Sequence, residues 1–127
     1  MKKVLALVLA LVLVLSLVAC GEEKEQKTVN SVLQGKWSGS FTSDTLQTFE
    51  FSNGQYRYVE YWSDPGVNVV DETGTYTIDA KLNEINCVCT KRKHVENSAG
   101  NTRTLKYKLD SADNLTVKYV DTELFRK

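Results

Sequence analysis

Three cysteines, one histidine and a run of carboxylates are the side chains in this chain suited to covalent, metal or acid–base chemistry. Cys87 and Cys89 are separated by one residue inside a strand-like run. In a strand they share a face and stand roughly 6.5–7 Å apart, whereas a disulfide normally needs a Cα separation below about 6.8 Å with converging Cβ atoms. They read as small buried hydrophobes. A metal or redox pair is the sharper alternative, without a second Cys or His cluster in support. His94 is the only histidine and follows Lys91, Arg92 and Lys93. That run reads as a charged strand edge guarded against aggregation, with contact to phosphate or an anionic polymer as the alternative. Glu60, Asp64, Asp71 and Glu72 make an acidic stretch without the spacing of a calcium loop, and they read as solvated loop. There is no Ser/His/Asp order, P-loop or His-Glu-x-x-His motif. No catalytic residue and no metal ligand is assigned, and the expectation is a protein that is not an enzyme.

Cys20 is different because of what precedes it. Met1-Lys2-Lys3 is basic, and Val4 to Leu15 is unbroken Val, Leu and Ala. A helix over residues 4–19 would be about 24 Å long, short for a hydrocarbon core of about 30 Å. A basic head, an apolar core and small residues before a break form a secretory signal peptide. Leu17-Val18-Ala19-Cys20 resembles the lipobox of bacterial lipoproteins. The resemblance implies diacylglyceryl transfer to the Cys20 thiol, with palmitate as the acyl class, and cleavage between Ala19 and Cys20. It further implies a lipid-anchored protein of the cell envelope, facing the extracytoplasmic side of the membrane. No cofactor is expected beyond that covalent lipid.

Removing residues 1–19 leaves enough chain for one small domain. It takes Lys2 and Lys3 from the 16 basic residues and none of the 16 acidic ones, leaving a net charge of −2. That balance argues against nucleic acid as a partner, which favours a strongly basic face. Residues 20–32 then comprise the lipidated Cys20 and a charged stretch nearly devoid of apolar residues, expected to be a disordered tether. Ten or so flexible residues would reach roughly 17–19 Å.

From Leu33 the pattern changes to short alternating runs separated by turn residues, which is the signature of an antiparallel sandwich or barrel. Eight strands are predicted, over 35–41, 47–52, 55–62, 73–79, 84–93, 102–110, 114–120 and 123–127. Asn53-Gly54 favours a type I′ hairpin. It pairs Phe51 with Tyr56 and Phe49 with Tyr58 on one face, and Glu50 with Arg57 on the other. A turn at 80–83 pairs Ile78 with Ile85 and Tyr76 with Cys87. A turn at 111–113 pairs Leu109 with Leu115, Tyr107 with Val117 and Leu105 with Tyr119. Three hairpins that agree on one apolar interior predict an all-β, up-and-down meander barrel over residues 33–127.

Gly35-Lys36-Trp37, following Val32-Leu33, resembles the Gly-x-Trp opening of lipocalin-like (calycin-type) domains. The later Phe-x-Phe, Asn-Gly-x-Tyr, Gly-Thr-Tyr-Thr-Ile and Leu-Phe-Arg-Lys stretches resemble small bacterial members of unassigned function. The resemblance implies that Gly35 and Trp37 close one end of the barrel and that Arg126 packs across the indole. A cation over an indole face contributes about 0.5–2 kcal/mol.

Barrel topology adds a polarity. Tight turns at 52–55, 80–83 and 111–113 share the Trp37 end, the base. Loops at 42–46, 63–72 and 94–101 share the other end and mark a mouth. A lipid on Cys20 would hold the base at the membrane and aim the mouth outward. Tyr58, Trp62, Tyr76, Tyr107 and Tyr119 are the candidate ligand-binding residues, offering the few polar groups a mostly apolar pocket uses. The function expected is binding of a small apolar or amphipathic molecule at the mouth of a monomer. The alternative is a filled barrel that acts as a protein-interaction module, an inhibitor or an envelope accessory.

Overall fold

In the computed structural model of the chain, which describes residues 21–94, 99–111 and 113–127, eight strands form a closed antiparallel barrel in sequence order. They are β1 Gly35–Thr42, β2 Thr45–Ser52, β3 Gln55–Trp62, β4 Val67–Asp79, β5 Glu84–Arg92, β6 Thr102–Leu109, β7 Leu115–Tyr119 and β8 Thr122–Arg126. Closure pairs β1 with β8 through Trp37 opposite Arg126 and Ser38 opposite Phe125. Ala19 and Cys20, with the expected cleavage and lipid attachment, lie outside the described residues.

The hairpin registers follow from the turns. Asn53 and Gly54 both have positive φ, 48° and 82°, as a type I′ turn requires. Phe51 faces Tyr56 and Phe49 faces Tyr58. Ile78 faces Ile85 and Tyr76 faces Cys87, while Leu109 faces Leu115, Tyr107 faces Val117 and Leu105 faces Tyr119. The apolar members of these pairs form one core together with Trp37. Glu50 does lie opposite Arg57, but Arg57 turns the other way. Its guanidinium donates to both oxygens of Asp71 on β4, at 3.0 and 2.9 Å.

Two expectations are corrected. The first is the tether. Residues 21–33 are helical, here α1, and the helix packs under the base of the barrel. Val29 and Leu33 lie one turn apart and are fully buried in the core. Three amides fasten the helix to the wall. Gln26 donates to the Ile78 carbonyl at 3.0 Å, Gln34 donates to the Tyr76 hydroxyl at 2.9 Å, and that hydroxyl donates to Asn30 Oδ1 at 2.6 Å. The Trp37 indole N–H donates to the Leu33 carbonyl at 2.8 Å. Glu and Lys in the first turns are good helix formers, and Glu23 and Lys27 sit at the i,i+4 spacing that stabilises a helix. With only Val29, Val32 and Leu33 as apolar side chains, helical periodicity is barely visible in the sequence, yet one buried stripe suffices once the barrel offers a floor.

The second correction concerns the mouth. Strand β4 begins at Val67 rather than Thr73, so the 63–72 loop contracts to a four-residue turn, Ser63–Gly66. The 42–46 loop contracts to Ser43 and Asp44. Of the three expected mouth loops, only the one that follows β5 remains long.

If α1 is a docked floor, Leu33→Ala will lower the stability of the barrel by about 2–5 kcal/mol, read as a shift in the urea midpoint. A truly disordered tether would leave the midpoint unchanged.

Candidate functional site

The lower half of the barrel is filled by apolar side chains, and the upper half holds charge. Alternation carries inward through β4 from Tyr76 and Gly74 to Glu72, and through β6 from Tyr107 and Leu105 to Arg103. Glu72 is buried, with 2% of its surface exposed. Its Oε1 accepts from Arg103 at 2.6 Å and from Arg92 at 3.0 Å, and its Oε2 accepts from the Tyr56 hydroxyl at 2.7 Å. The second terminal nitrogen of Arg103 donates to the Tyr119 hydroxyl at 2.7 Å. The guanidinium carbon of Arg103 stands 4.1 Å from the centre of the Tyr58 ring. Tyr58 in turn donates to Glu60 at 2.9 Å, and the Trp62 indole donates to the other oxygen of Glu60 at 2.9 Å.

Arg92 reaches this cluster only because β5 carries a bulge. Glu72 pairs with Arg92 and Thr73 with Lys91, but Gly74 pairs with Cys89, leaving Thr90 as the extra residue. An extra residue reverses which side chains face inward beyond it. Cys87 and Cys89 point into the barrel, and past the bulge Arg92 does so in place of Lys91. Gly74 is what lets the strands approach there: a Cβ on it would lie 2.0 Å from the Val88 carbonyl oxygen and 2.7 Å from the Tyr56 ring.

The electrostatics follow from burial and pairing. Burial alone raises the Glu72 carboxyl, but hydrogen bonds from Arg103 and Tyr56, the Arg103 charge and the Arg92 hydrogen bond outweigh it, and the group is held below the ordinary carboxylate range. The Tyr56 hydroxyl is pushed upward by burial and then by Glu72, and Tyr58 by burial and then by Glu60. Asp71 on the outer wall is lowered by hydrogen bonds from Arg57 and Lys93. Burial pushes the Cys87 thiol up to about 12, and a protonated thiol is a poor nucleophile and metal ligand. Cys87 and Cys89 are both buried and free. Among the described residues, no group of three His, Cys, Asp or Glu side chains is placed to hold a metal ion.

The five residues expected to bind a ligand do not form one site. Tyr58, Trp62 and Tyr119 gather at the mouth. Tyr58 is fully buried, with ring centroids 4.6 Å from Phe49 and 5.8 Å from Tyr119. Trp62 is 44% exposed at the rim. Tyr76 is at the base, tied to α1, where it lines a 490 Å³ cleft between helix and barrel. Tyr107 is buried in the lower half, its hydroxyl without a partner among the described residues and raised to about 12 by burial, then by Glu25 and Asp79. Trp37 lies in the floor, and the Arg126 guanidinium carbon stands 5.0 Å from its ring; Gly35, with φ of 112°, leads into the strand from α1.

Glu72, Arg92 and Arg103 were not among the expected site residues. Two of them were within reach. Glu72 and Arg103 each lie two residues before an inward-facing position, so the period-two pattern extended toward the mouth would have placed them inside. Arg92 had no such signal. Compared with protein families, curated proteins and solved structures, the chain matches none.

Because the folded-state value of Glu72 is depressed, its contribution to stability is full above the ordinary value of about 4.5 and is lost as pH falls through the folded value. Replacing it by Glu72→Gln leaves the half-buried Arg92 and Arg103 without their buried counter-ion, at a cost of up to about 3–5 kcal/mol at pH 7. Urea midpoints at pH 7 and pH 3 should then differ less in the variant than in the parent chain.

Proposed function

We propose that this protein is a lipid-anchored envelope lipoprotein whose lipocalin-like barrel binds a small amphipathic molecule at its mouth. The observation that carries the reading is the character of the mouth. A charged floor made by Arg92, Arg103 and Glu72 lies beneath an apolar rim that includes Trp62 and Val67, which are 44% and 47% exposed. Such a mouth suits a ligand with a polar head and an apolar body, and a wholly apolar ligand would have to cover charges without partnering them. The lower half supports shallow rather than deep binding, because Phe49, Phe51, Ile85, Leu105 and Val117 are buried there against one another. The lipobox at Leu17–Cys20 supports the anchor. With α1 docked under the base, the anchor would join a rigid floor, and the mouth would point away from the membrane.

A second reading has its own observation. Phe41, Val120 and Phe125 are 61%, 69% and 63% exposed, and the first and last of these flank a 620 Å³ groove along the β1–β8 seam. Exposed apolar surface of that kind marks interaction sites, and it favours a protein-interaction module.

Native mass spectrometry of the full-length protein, purified from its host and released from nanodiscs, separates the two. A small ligand gives a reproducible added mass that the rim variant Trp62→Ala loses. A clean apo mass with a co-purifying protein supports the interaction reading. Cys20→Ser should abolish incorporation of radiolabelled palmitate, and label retained in that variant would remove the anchor from the proposal.

A further inference from the structure

We propose that the mouth receives a monoanionic head group of the carboxylate class on the paired edges of Arg92 and Arg103, with Glu60 on the facing wall opposing the charge and orienting the ligand. The inference rests on the reading that the mouth takes an amphipathic molecule, and it names the chemistry of that molecule's head.

Donors exceed acceptors at this spot. Arg92 and Arg103 both spend a terminal nitrogen on the same oxygen, Glu72 Oε1. The other carboxylate oxygen is taken by Tyr56. Neither Nε–H reaches Glu72, and both Nε atoms are buried with no hydrogen-bond partner among the described residues. A buried donor without an acceptor keeps its full desolvation cost, which is larger on a charged group. Two guanidinium groups that share one carboxylate also leave one positive charge without a second ion-pair partner among the described residues. One further carboxylate supplies both the missing acceptors and the missing charge.

The donors are held in place and stand near solvent. Arg103 is fixed on three sides, by Glu72, by the Tyr119 hydroxyl and by the face of Tyr58. A guanidinium fixed before the ligand arrives loses little freedom on binding. The side chains of Arg103 and Arg92 keep 15% and 26% of their surface exposed, so the cluster meets solvent although its Nε–H groups are covered, and an anion seats on them by displacing what covers them. The Tyr119 hydroxyl, which accepts from Arg103, still has its own proton to donate.

The facing wall is the reverse. Glu60 accepts from Tyr58 and from Trp62, both neutral donors, and among the described residues no arginine pairs with it. It remains a negative charge across the mouth from the arginines. An anionic head is drawn to the β5–β6 side and repelled from the β3 side, while Trp62 and Val67 at the rim receive the apolar body.

The test uses the full-length protein in nanodiscs, titrated calorimetrically with hexanoate and with hexanol, and corrected with empty nanodiscs. Hexanoate should bind at least about tenfold more tightly than hexanol, in line with the strength of charge-assisted hydrogen bonds. Glu60→Gln, which removes the opposing charge and keeps one acceptor for Trp62, should tighten hexanoate about threefold relative to hexanol. Arg92→Gln, with Arg103 still pairing Glu72 and folding verified by circular dichroism, should weaken hexanoate selectively. Equal binding of the two probes keeps the amphiphile reading and overturns the anionic head. Binding of neither overturns both. A preference for hexanoate that ignores Glu60→Gln and Arg92→Gln places the head group elsewhere and overturns the site.

Discussion

A closed eight-stranded barrel has a single interior, and every second residue of each strand must enter it. The rest of this structure depends on how that constraint is met. Eight strands leave a space that side chains can fill, and here Phe49, Phe51, Tyr56, Tyr76 and their neighbours fill the lower part, with rings in stacked and edge-on contact. The open lower end needs a floor. Trp37 from the first strand and Val29 and Leu33 from α1 provide it, and the indole N–H that would otherwise be buried without a partner takes the Leu33 carbonyl.

Toward the mouth the same constraint brings charge inside. Glu72 and Arg103 occupy inward positions that a purely apolar core would give to Val or Leu. Burying one carboxylate with two arginines and a phenol is tolerable because both oxygens of Glu72 find donors. The converse does not hold, since the two arginines together carry more N–H groups than one carboxylate can accept. That asymmetry separates the mouth from the base: below, polar atoms are scarce and mostly paired; above, donors remain in surplus.

The bulge in β5 links the two halves. If β5 continued in regular alternation, with Thr90 paired in the ladder, Lys91 and Lys93 would point inward and Arg92 would face solvent. With the bulge, the outer wall carries Asp71 with Arg57 and Lys93, and the inner wall carries Glu72 with Arg92 and Arg103. Adjacent residues of β4 thus serve separate ion-pair clusters on opposite sides of one sheet. Gly74 makes this possible, since any side chain there would strike the Val88 carbonyl and the Tyr56 ring.

The number of strands, their order and most of their register were legible in the residues alone. Turn chemistry at Asn53-Gly54 and apolar alternation such as Ile78 against Ile85 are local signals, and local signals survive without a tertiary frame. The position of Glu72 and Arg103 inside the barrel was legible too, had the alternation been followed past the last apolar residue. The remaining features depend on contacts distant in sequence. Residues 21–33 are a helix because the barrel base gives Val29 and Leu33 a surface to bury against, a partner that no window on their own segment contains. Arg57 chose Asp71 over Glu50 because a strand in a sheet has two neighbours and a hairpin reading sees one. Arg92 faces inward because a single inserted residue shifts the period by one, and period-two patterning carries no mark of where such a shift occurs.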